Sequence, residues 1–511
     1  MLTSFVLFTE LPLIERVSRL ESKYLADQNV NTGNTLSRAL GRTDILALGF
    51  GTMVGWSWVM VTTTWINEAG FWGAILAFLI GASIIIMVGL SYGELTSALP
   101  LAGGEIVYVY RAMGKKAAWV VGWVMTFAYI AVAAWESIAI STALDYLLPI
   151  PPFLHLWDVS GAPVYLSWAL VGMVGAIAMT LLNLFATRPA VIFQVMATAG
   201  FILIGFILLF GGLTFGSIEN VEPLFRSGKG MIYVILMVPS MLIGFDVIPQ
   251  SAEEMNIPLK DIGRMVVVCI VFACLWYLMI IVGVSLAAPL EIRSSGLIPA
   301  ADVMTYAFGD PIFGKIIILG GLLGILTCWN GFFMGASRLI FAMGRAKMLP
   351  TVFGKLHKKY QTPWAATLMV GTICVLSPLL GANAFVWLVN ASAFCALLGY
   401  FIVSGSFVIL RWKEPDLNRP FKLKGGKWIG WGALVLSGFY FLLFVSITVN
   451  KTWSEELLFI GLWIVMGVIL LGITHIQVGK VSDIERERLI FGEEFERKWI
   501  SQDNKTRREG K

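Results

Sequence analysis

Four charged residues lie within or at the edge of predominantly apolar stretches of this 511-residue chain, and they are the first candidates for chemistry. They are Glu136, Arg188, Asp246 and Glu253. An ionised side chain in hydrocarbon is energetically costly, and in membrane proteins it generally marks a functional site. Because burial disfavours the charged form of a carboxyl group, a buried acid can exchange its proton near neutral pH. The three acids are therefore candidates for proton transfer or for holding a cationic group.

Each of these residues also has a simpler structural interpretation. Glu136 is explained equally well as a hydrogen-bonded, permanently protonated core residue, and Asp246 as the cap of a helix end. Arg188 can extend its guanidinium to the cytoplasmic interface along the membrane surface. Glu253, beside Glu254, is better explained as an inner gate or loop anchor. The sequence leaves these alternatives open.

The sequence contains no arrangement of residues that is typical of an enzyme. We find no histidine cluster, no nucleophile beside a base and no large soluble domain, so neither catalysis nor a cofactor is expected. The three histidines fall near predicted loops or interfaces and are interpreted as structural. The cysteines lie in apolar runs without a C-x-x-C pair, which argues against a zinc site or a disulfide framework: Cys269, Cys274, Cys328, Cys374 and Cys395.

Composition identifies the solvent in which this chain folds. Hydrophobic residues make up 58% of the chain and charged residues only 14%, well below the roughly 25% charged residues of soluble domains. Uncharged runs such as 119–144 and 265–286 exceed the roughly 20 residues that cross the hydrocarbon core. The chain is therefore predicted to be an all-α polytopic membrane protein whose main partner is the lipid bilayer, not nucleic acid.

Apolar runs separated by turn residues or charges predict twelve transmembrane helices. Their approximate limits are 43–66, 71–93, 117–148, 164–185, 189–213, 230–252, 264–288, 312–343, 363–381, 383–410, 428–450 and 455–475. The corresponding divisions of the chain are an N-terminal segment (1–42), a first set of five helices (43–213), a second set of five (230–410), two further helices (428–475) and a tail (476–511).

The distribution of basic residues predicts the orientation of these helices. Lys and Arg concentrate in cytoplasmic loops of membrane proteins. With a cytoplasmic N-terminus, only five of the 37 Lys and Arg residues fall outside: Arg226, Lys229, Arg293, Lys315 and Lys451. Both termini are therefore expected in the cytoplasm. The tail has a helical charge pattern over 483–498 and is interpreted as a solvated surface helix.

Two of the predicted helices contain residues that weaken a helix. Gly49, Gly51 and Gly55 fall within seven residues of the first, and each glycine costs about 1 kcal/mol relative to alanine. In the sixth, residues 239–240 (Pro-Ser) precede 244–246 (Gly-Phe-Asp). Paired breaks at corresponding positions of two halves are typical of transporters built from inverted repeats. The alternative is that small residues permit close helix packing.

Four stretches resemble the amino acid/polyamine/organocation permease superfamily. They are the glycine-broken 49–57, the Leu-Pro-Leu-Ala-Gly-Gly segment that begins 99–111, the Gly-Phe-Asp segment with its acidic continuation in 244–264, and the Ser-Arg-Leu-Ile-Phe-Ala-Met-Gly-Arg segment in 337–350. They occur in the family's order. The resemblance implies a LeuT-like core of 5+5 inverted-repeat helices, two peripheral helices, and substrates that carry an α-amino and an α-carboxyl group.

The resemblance also implies where such a zwitterion binds. Backbone N–H groups that open a half-helix attract its carboxylate, and here they belong to Gly55, Trp56 and Ser57. Unwound carbonyls attract its ammonium, and here they belong to Gly51, Ile243, Gly244 and Phe245. Asp246 lies at the same break and is a further substrate-binding candidate. Among the aromatic residues, three are expected to touch substrate: Trp56, Phe245 and Trp329.

The chain departs from the family at two of these positions. Trp56 stands where relatives have a small residue, so its ring either narrows the pocket or turns into a neighbouring helix. Arg188 is aligned with a lysine that, by resemblance, lies beside the broken first helix, where sodium-coupled cousins hold sodium. A fixed cation there opposes sodium binding, and arginine cannot release a proton at physiological pH. The candidate coupling residues are therefore Arg188, Asp246 and Glu136.

Together these observations predict a secondary active transporter rather than an enzyme or a receptor-like scaffold. It is expected to carry amino acids across the plasma membrane by alternating access, independently of sodium, as a proton symporter or a substrate exchanger. A polyamine or amine permease of the same fold is the alternative. No obligate protein partner is inferred.

Overall fold

The computed structural model is predominantly helical, as the composition predicts. It describes residues 36, 38–185, 187–294, 298–449 and 454–492. Nine helices within these residues are long and apolar enough to cross a membrane, which confirms a multi-pass helical membrane protein. Most of the predicted segment 1–42 and the end of the predicted tail 476–511 lie outside the described residues.

The first half of the chain contains eight helices and one hairpin. In chain order they are α1 (Arg42–Met53), α2 (Ser57–Met60), α3 (Thr62–Ala69), α4 (Phe71–Ala98), α5 (Glu105–Met113), α6 (Lys115–Leu147), β1 (His155–Val159), β2 (Ala162–Tyr165), α7 (Leu166–Phe185) and α8 (Thr187–Phe215).

The second half contains a further eleven helices among the described residues. They are α9 (Gly228–Met241), α10 (Val247–Gln250), α11 (Leu259–Ala287), α12 (Leu290–Arg293), α13 (Pro299–Phe308), α14 (Pro311–Arg345), α15 (Trp364–Leu376), α16 (Ala384–Lys413), α17 (Gly426–Val449), α18 (Ser454–Val478) and α19 (Asp483–Phe491).

Both predicted helix breaks are present, but the first lies later than the glycines suggested. α1 continues through Gly49 and Gly51 and ends at Met53, and α2 begins at Ser57. A Cβ atom at Gly49 would lie 2.6 Å from Ile248 Cδ1. For Gly49 and Gly51 the close-packing interpretation is therefore correct. The second break separates α9 from α10, as expected from the Gly-Phe-Asp segment.

Two other features differ from the sequence-based expectation of an all-α protein with a solvated tail. Strands β1 and β2 form an antiparallel hairpin, and the Trp157 indole of β1 donates to the Leu379 carbonyl over 2.9 Å. In α19, Phe491 is only 9% exposed and its ring lies 6.0 Å from that of Tyr110. Ile490 and Phe491 are buried at the end of an otherwise charged helix. The end of α19 therefore packs against the protein, and this helix is not wholly solvated.

The helices that surround the two breaks pack closely because small residues face one another. α14 contacts α6, α8 and α1, and α11 contacts α4. A Cβ atom at Gly93 of α4 would lie 2.6 Å from the Gly263 carbonyl oxygen of α11. Contact between the two backbones positions α11 beside the first break, where its side chains complete the site.

We predict that Gly93→Ala destabilises the protein by about 1–3 kcal/mol, because the added methyl group meets backbone that must shift. The matched control is Gly461→Ala in α18, where an added Cβ has no atom within 4 Å. Thermal unfolding of the purified protein in detergent measures both. Equal melting temperatures for the two variants would show that the α4–α11 contact is not tight.

Candidate binding site at the two helix breaks

The two helix breaks face each other inside the helix bundle. Gly244 has a φ angle of +124°, a backbone conformation that glycine alone adopts readily. A Cβ atom at this position would lie 3.0 Å from the backbone carbonyl carbon of Thr52 and 3.1 Å from the nitrogen of Met53. The second break therefore rests directly on the last turn of α1, and no side chain fits between them.

Two hydroxyl groups bridge the first break. Tyr277 of α11 donates to the Met53 carbonyl over 3.0 Å, and its oxygen lies 3.0 Å from Ser57 Oγ. Since the single tyrosine proton is directed to Met53, Ser57 is the donor in the second hydrogen bond. Tyr277 thus connects the end of α1 to the start of α2. The sequence analysis missed it because a tyrosine within a long apolar helix has no distinguishing spacing.

Backbone N–H groups precede the first helical hydrogen bonds of α2. The amides of Val59 and Met60 donate to the Trp56 carbonyl over 3.1 and 3.3 Å. The N–H groups of Gly55, Trp56 and Ser57 come earlier in the chain and have no acceptor within the helix that they open. A group of such donors favours an anion at this position.

A small cavity lies between the breaks. Its walls come from α1, α6, α9, α14 and α16 as well as from the breaks themselves, and none of the lining residues is charged. They are Thr52, Met53, Gly55, Ser57, Val132, Trp135, Ser240, Met241, Ile243, Cys328, Phe332, Val389 and Ser392. Of the residues predicted from the sequence, Gly55, Ser57 and Ile243 line this cavity. The remaining walls belong to helices whose buried faces the sequence did not reveal.

The three aromatic residues singled out from the sequence pack away from the cavity. A Cβ atom at Gly321 would lie 2.3 Å from the Trp56 ring, so Trp56 turns into α14, the second of the two alternatives. The Phe245 ring lies 5.3 Å from the rings of Tyr92 and Tyr400. Trp329 is fully buried and packs against α7. These rings support the site without lining it.

Asp246 is buried in the second break. Its Oδ1 accepts a hydrogen bond from the Gly244 amide over 3.0 Å, and Oδ2 has no hydrogen-bond partner. The side chain does not cap the N–H groups of α10. It closes the turn at Gly244 instead, because the backbone of the break reverses beneath it.

Glu136 of α6 stands against the first break. It is fully buried, and neither carboxyl oxygen has a hydrogen-bond partner. A Cβ atom at Gly55 would lie 2.8 Å from Glu136 Oε1 and 3.0 Å from Cys328 Sγ. The carboxyl group therefore faces the backbone whose N–H groups are candidates for anion binding. Among the described residues, no group of three or more His, Cys, Asp or Glu side chains is placed to hold a metal ion.

Comparison with known proteins shows the family to which this chain belongs. A family model described as amino acid permease matches residues 40–470, which is most of the chain. The chain belongs to this amino acid permease family. The resemblance to the amino acid/polyamine/organocation superfamily is thereby confirmed, and at the level of the family the protein is a transporter and not an enzyme.

The permease is similar along most of its length to three transporters from Bacillus subtilis (strain 168). It is 26% identical to the branched-chain amino acid permease BcaP over 85% of this chain and 92% of that protein. It is 24% identical to a methylthioribose transporter over 76% and 84%. It is 26% identical to an aspartate-proton symporter over 79% and 78%. Amino acid transport is the activity that most of these names share.

The permease has no cation from α8 against the first break, within the described residues of that helix. Arg188, expected there by resemblance, is exposed near the start of α8. Two polar side chains of α8 that face α1 are Gln194 and Thr198, both buried. Gln194 Nε2 donates to the carbonyls of Ala47 in α1 and Thr327 in α14, over 3.1 and 3.2 Å. A neutral amide therefore bridges the two helices beside the break.

Gln194 belongs to a buried row of three amides. Its Oε1 accepts from Asn330 Nδ2 over 2.9 Å, and Asn330 Oδ1 accepts from Asn183 Nδ2 over 3.0 Å. The row links α1, α7, α8 and α14 through polar groups in a region that lipid and apolar side chains surround. Hydrogen bonds of this kind fix the relative positions of the helices.

Glu253 and Glu254, which were noted in the sequence, and the further buried acid Glu94 are ion-paired in the permease. Glu253 contacts Arg345 at 3.0 Å and accepts the Ala102 amide over 3.1 Å, which matches a loop anchor. Glu254 pairs with Arg338. Glu94 pairs with Arg411 and Arg419. Burial lowers the pKa of the Arg419 guanidinium, and the Glu94 carboxylate opposes this shift.

We predict that Gln194→Leu lowers the stability of the permease, because the Ala47 and Thr327 carbonyls and the Asn330 amide each lose a hydrogen bond. Each lost hydrogen bond costs about 0.5–1.5 kcal/mol. Gln477→Leu is the control, because Gln477 is exposed and accepts only a long, 3.4 Å hydrogen bond from the Thr351 amide; it should change the melting temperature in detergent little. A Gln194→Leu protein as stable as the control would contradict the bridging role.

Proposed function

We propose that this permease carries zwitterionic amino acids with apolar side chains across the plasma membrane by alternating access. The observation that carries the proposal is the pair of helix breaks facing each other across an uncharged cavity. A zwitterion needs a donor group at one end and an acceptor group at the other, and two broken helices supply both.

The carboxylate is proposed to bind the N–H groups of Gly55, Trp56 and Ser57. The ammonium is proposed to bind carbonyls at the end of α1, from Gly51 onward, together with that of Ile243. The Gly244 and Phe245 carbonyls already accept the amides of Val247 and Ile248 over 3.3 and 3.2 Å. Ile243 is therefore the better acceptor in the second break, because its carbonyl precedes these hydrogen bonds.

The preference for apolar side chains rests on the cavity walls. Val132, Trp135, Phe332 and Val389 supply apolar surface, and the polar side-chain groups of the lining residues are uncharged: three serine hydroxyls, a threonine hydroxyl, the Cys328 thiol and the Trp135 indole N–H. An ionised substrate side chain would lose its hydration there without gaining a partner. Relatives are named for branched-chain amino acids and for aspartate, so the cavity walls, and not the names, favour one class.

The architecture proposed for this function is the twelve-helix arrangement with a 5+5 inverted repeat. In it, α1–α3 together form the first transmembrane segment, and α9 with α10 forms the sixth. The two breaks then occupy equivalent positions in the two halves. The basic residues noted above favour cytoplasmic termini.

A polyamine or amine permease is the second candidate. It would need acidic groups in the cavity and no site for a carboxylate. Glu136 and Asp246 lie beside the breaks, but neither is among the lining residues, which favours the amino acid. Isothermal titration calorimetry with the proteinogenic amino acids, putrescine and ethanolamine distinguishes the two candidates. Heat with putrescine and none with any amino acid would overturn the proposal.

We predict that uptake by the permease does not require sodium. By the family resemblance, sodium-coupled cousins hold their sodium ion beside the broken first helix. In this permease the Gln194 amide already donates to the Ala47 and Thr327 carbonyls there. We therefore attribute the expected sodium independence to the bridging Gln194 amide and not to Arg188, which is exposed. Replacing sodium by choline in a proteoliposome assay should leave initial uptake unchanged. A steep dependence on sodium concentration would contradict this prediction.

We predict that Gly55→Val and Ser57→Val abolish substrate binding while the protein still folds. A β-branched side chain disfavours the irregular backbone of the break and blocks approach to its amides. At Gly55 the new Cβ would also lie within 3.0 Å of Glu136 and Cys328. Gly461→Val, in open space on α18, is the control. Calorimetry and size-exclusion chromatography measure binding and folding, and normal binding by both break variants would place the carboxylate elsewhere.

Coupling is proposed to be proton symport or substrate exchange. Of the acids expected from the sequence to carry a proton, Glu136 faces the first break and Asp246 closes the second. An ionised Glu136 would repel a carboxylate bound at Gly55, because like charges at close range disfavour each other. Glu136 is therefore proposed to be uncharged when substrate is bound.

A further inference from the structure

A buried acid that the sequence analysis did not single out lies beside the second break. Glu105 is the first residue of α5, directly after Gly103 and Gly104, and it is fully buried. Its Oε2 accepts the side-chain amide of Gln250, which ends the short helix α10 that follows Asp246. We call Glu105 and Asp246 the carboxyl pair.

The carboxyl pair differs from the other buried acids in its partners. Glu94 and Glu254 are each held by arginine. In the part of the chain that the structure describes, no lysine or arginine is within ion-pair distance of Glu105 or Asp246. A buried carboxylate without a cation keeps its charge only at a high cost. Two such groups side by side cannot both be ionised in the closed protein.

Hydrogen-bond donors satisfy only some of the four carboxyl oxygens of the pair. Tyr129 of α6 donates to Glu105 Oε1 over 3.2 Å, and the Gln250 amide donates to Oε2. Asp246 Oδ1 accepts the Gly244 amide, whereas Oδ2 is fully buried and has no partner. An unoccupied carboxyl oxygen beside a second carboxyl group is a place where a proton can be bound.

The other groups near the pair are the uncharged hydroxyls of four tyrosines: Tyr92 of α4, Tyr108 of α5, Tyr129 of α6 and Tyr400 of α16. The hydroxyls of Tyr92 and Tyr400 make no hydrogen bond within the described residues. Tyr129 donates to Glu105, and the rings of Tyr92 and Tyr400 each lie 5.3 Å from that of Phe245, the neighbour of Asp246. The Tyr108 hydroxyl donates to Thr96. The surroundings can donate hydrogen bonds but cannot supply a positive charge.

We propose that Glu105 and Asp246 share one exchangeable proton and form the coupling site of the permease. The proposal rests on the proposed transport function and names the group that links transport to protons. It assigns the proton to the pair, not to Asp246 or Glu136 alone.

The placement of the pair connects protonation to movement of the second break. Asp246 lies in the break itself, and Glu105 lies on α5. These segments meet where a Cβ atom at Gly104 would lie 2.8 Å from Pro249 Cβ and where Gln250 contacts Glu105. If α10 moves away from α5, water reaches the two carboxyl groups and both can ionise. The proton is therefore held while this contact is closed and released when it opens.

The test uses the full-length protein in proteoliposomes and a radiolabelled mixture of the proteinogenic amino acids. In the wild type, an inward proton gradient should stimulate net uptake. Glu105→Gln and Asp246→Asn should each abolish this stimulation while counterflow exchange, which needs no net proton movement, continues. Glu219→Gln, at an exposed acid on the loop after α8, is the control and should retain stimulation.

Several results would overturn the proposal. Stimulation that survives in both Glu105→Gln and Asp246→Asn would do so, as would its loss in Glu136→Gln alone, which would transfer the role to α6. Wild-type counterflow without any response to a proton gradient would overturn the coupling site and leave the proposed function standing. The absence of counterflow with every amino acid would instead overturn the proposed function.

If the carboxyl variants fail to fold, Tyr129→Phe provides an independent test. Removing a donated hydrogen bond disfavours the charged form of a carboxyl group, so the pH of half-maximal uptake should move toward the alkaline side. Tyr440→Phe removes a hydroxyl that bonds only the Ile235 carbonyl and should leave the pH profile unchanged. An unaltered profile in Tyr129→Phe would contradict a proton shared at this pair.

Discussion

Interrupted backbone inside a membrane must find hydrogen-bond partners, and the central structure of this permease follows from that constraint. Lipid offers no donors or acceptors, so a broken helix is stable only where protein groups replace its lost hydrogen bonds. Tyr277 supplies one at the Met53 carbonyl, Asp246 supplies one at Gly244, and Gln194 binds the Ala47 carbonyl. Each partner comes from outside α1 or from within the second break, so the breaks depend on the assembled bundle.

The same constraint connects folding to function. The backbone groups on which we propose that a zwitterion acts lie at the breaks, and these open onto a cavity with uncharged walls. Close approach of the two breaks requires Gly244, since its backbone lies against Thr52 and Met53 without space for a side chain. Aromatic residues such as Trp56 and Phe245 then brace the breaks from behind. Rigid support and unsatisfied backbone therefore occur within a few residues of each other.

Charge is distributed in two distinct ways in the permease. Buried acids near the predicted cytoplasmic side, such as Glu94 and Glu254, are neutralised by arginine and hold loops to helices. Glu105, Glu136 and Asp246 are also buried, and among the described residues no lysine or arginine pairs with them. Arginine neighbours favour a fixed charge, whereas uncharged neighbours leave a carboxyl group free to change its protonation state. Structural acids and proton-exchanging acids can thus coexist on adjacent elements.

The sequence by itself determined that the chain is a multi-pass helical membrane protein of the amino acid permease family, and that two helices break near Gly55 and Gly244. Hydropathy and glycine content are local properties, so they can be read without knowing which helices touch. The tertiary structure alone decided that Tyr277, Gln194 and Glu105 reach the breaks, and that Arg188 does not. The physical reason is that helices apolar on every side reveal no buried face. Only their packing shows which side chains meet.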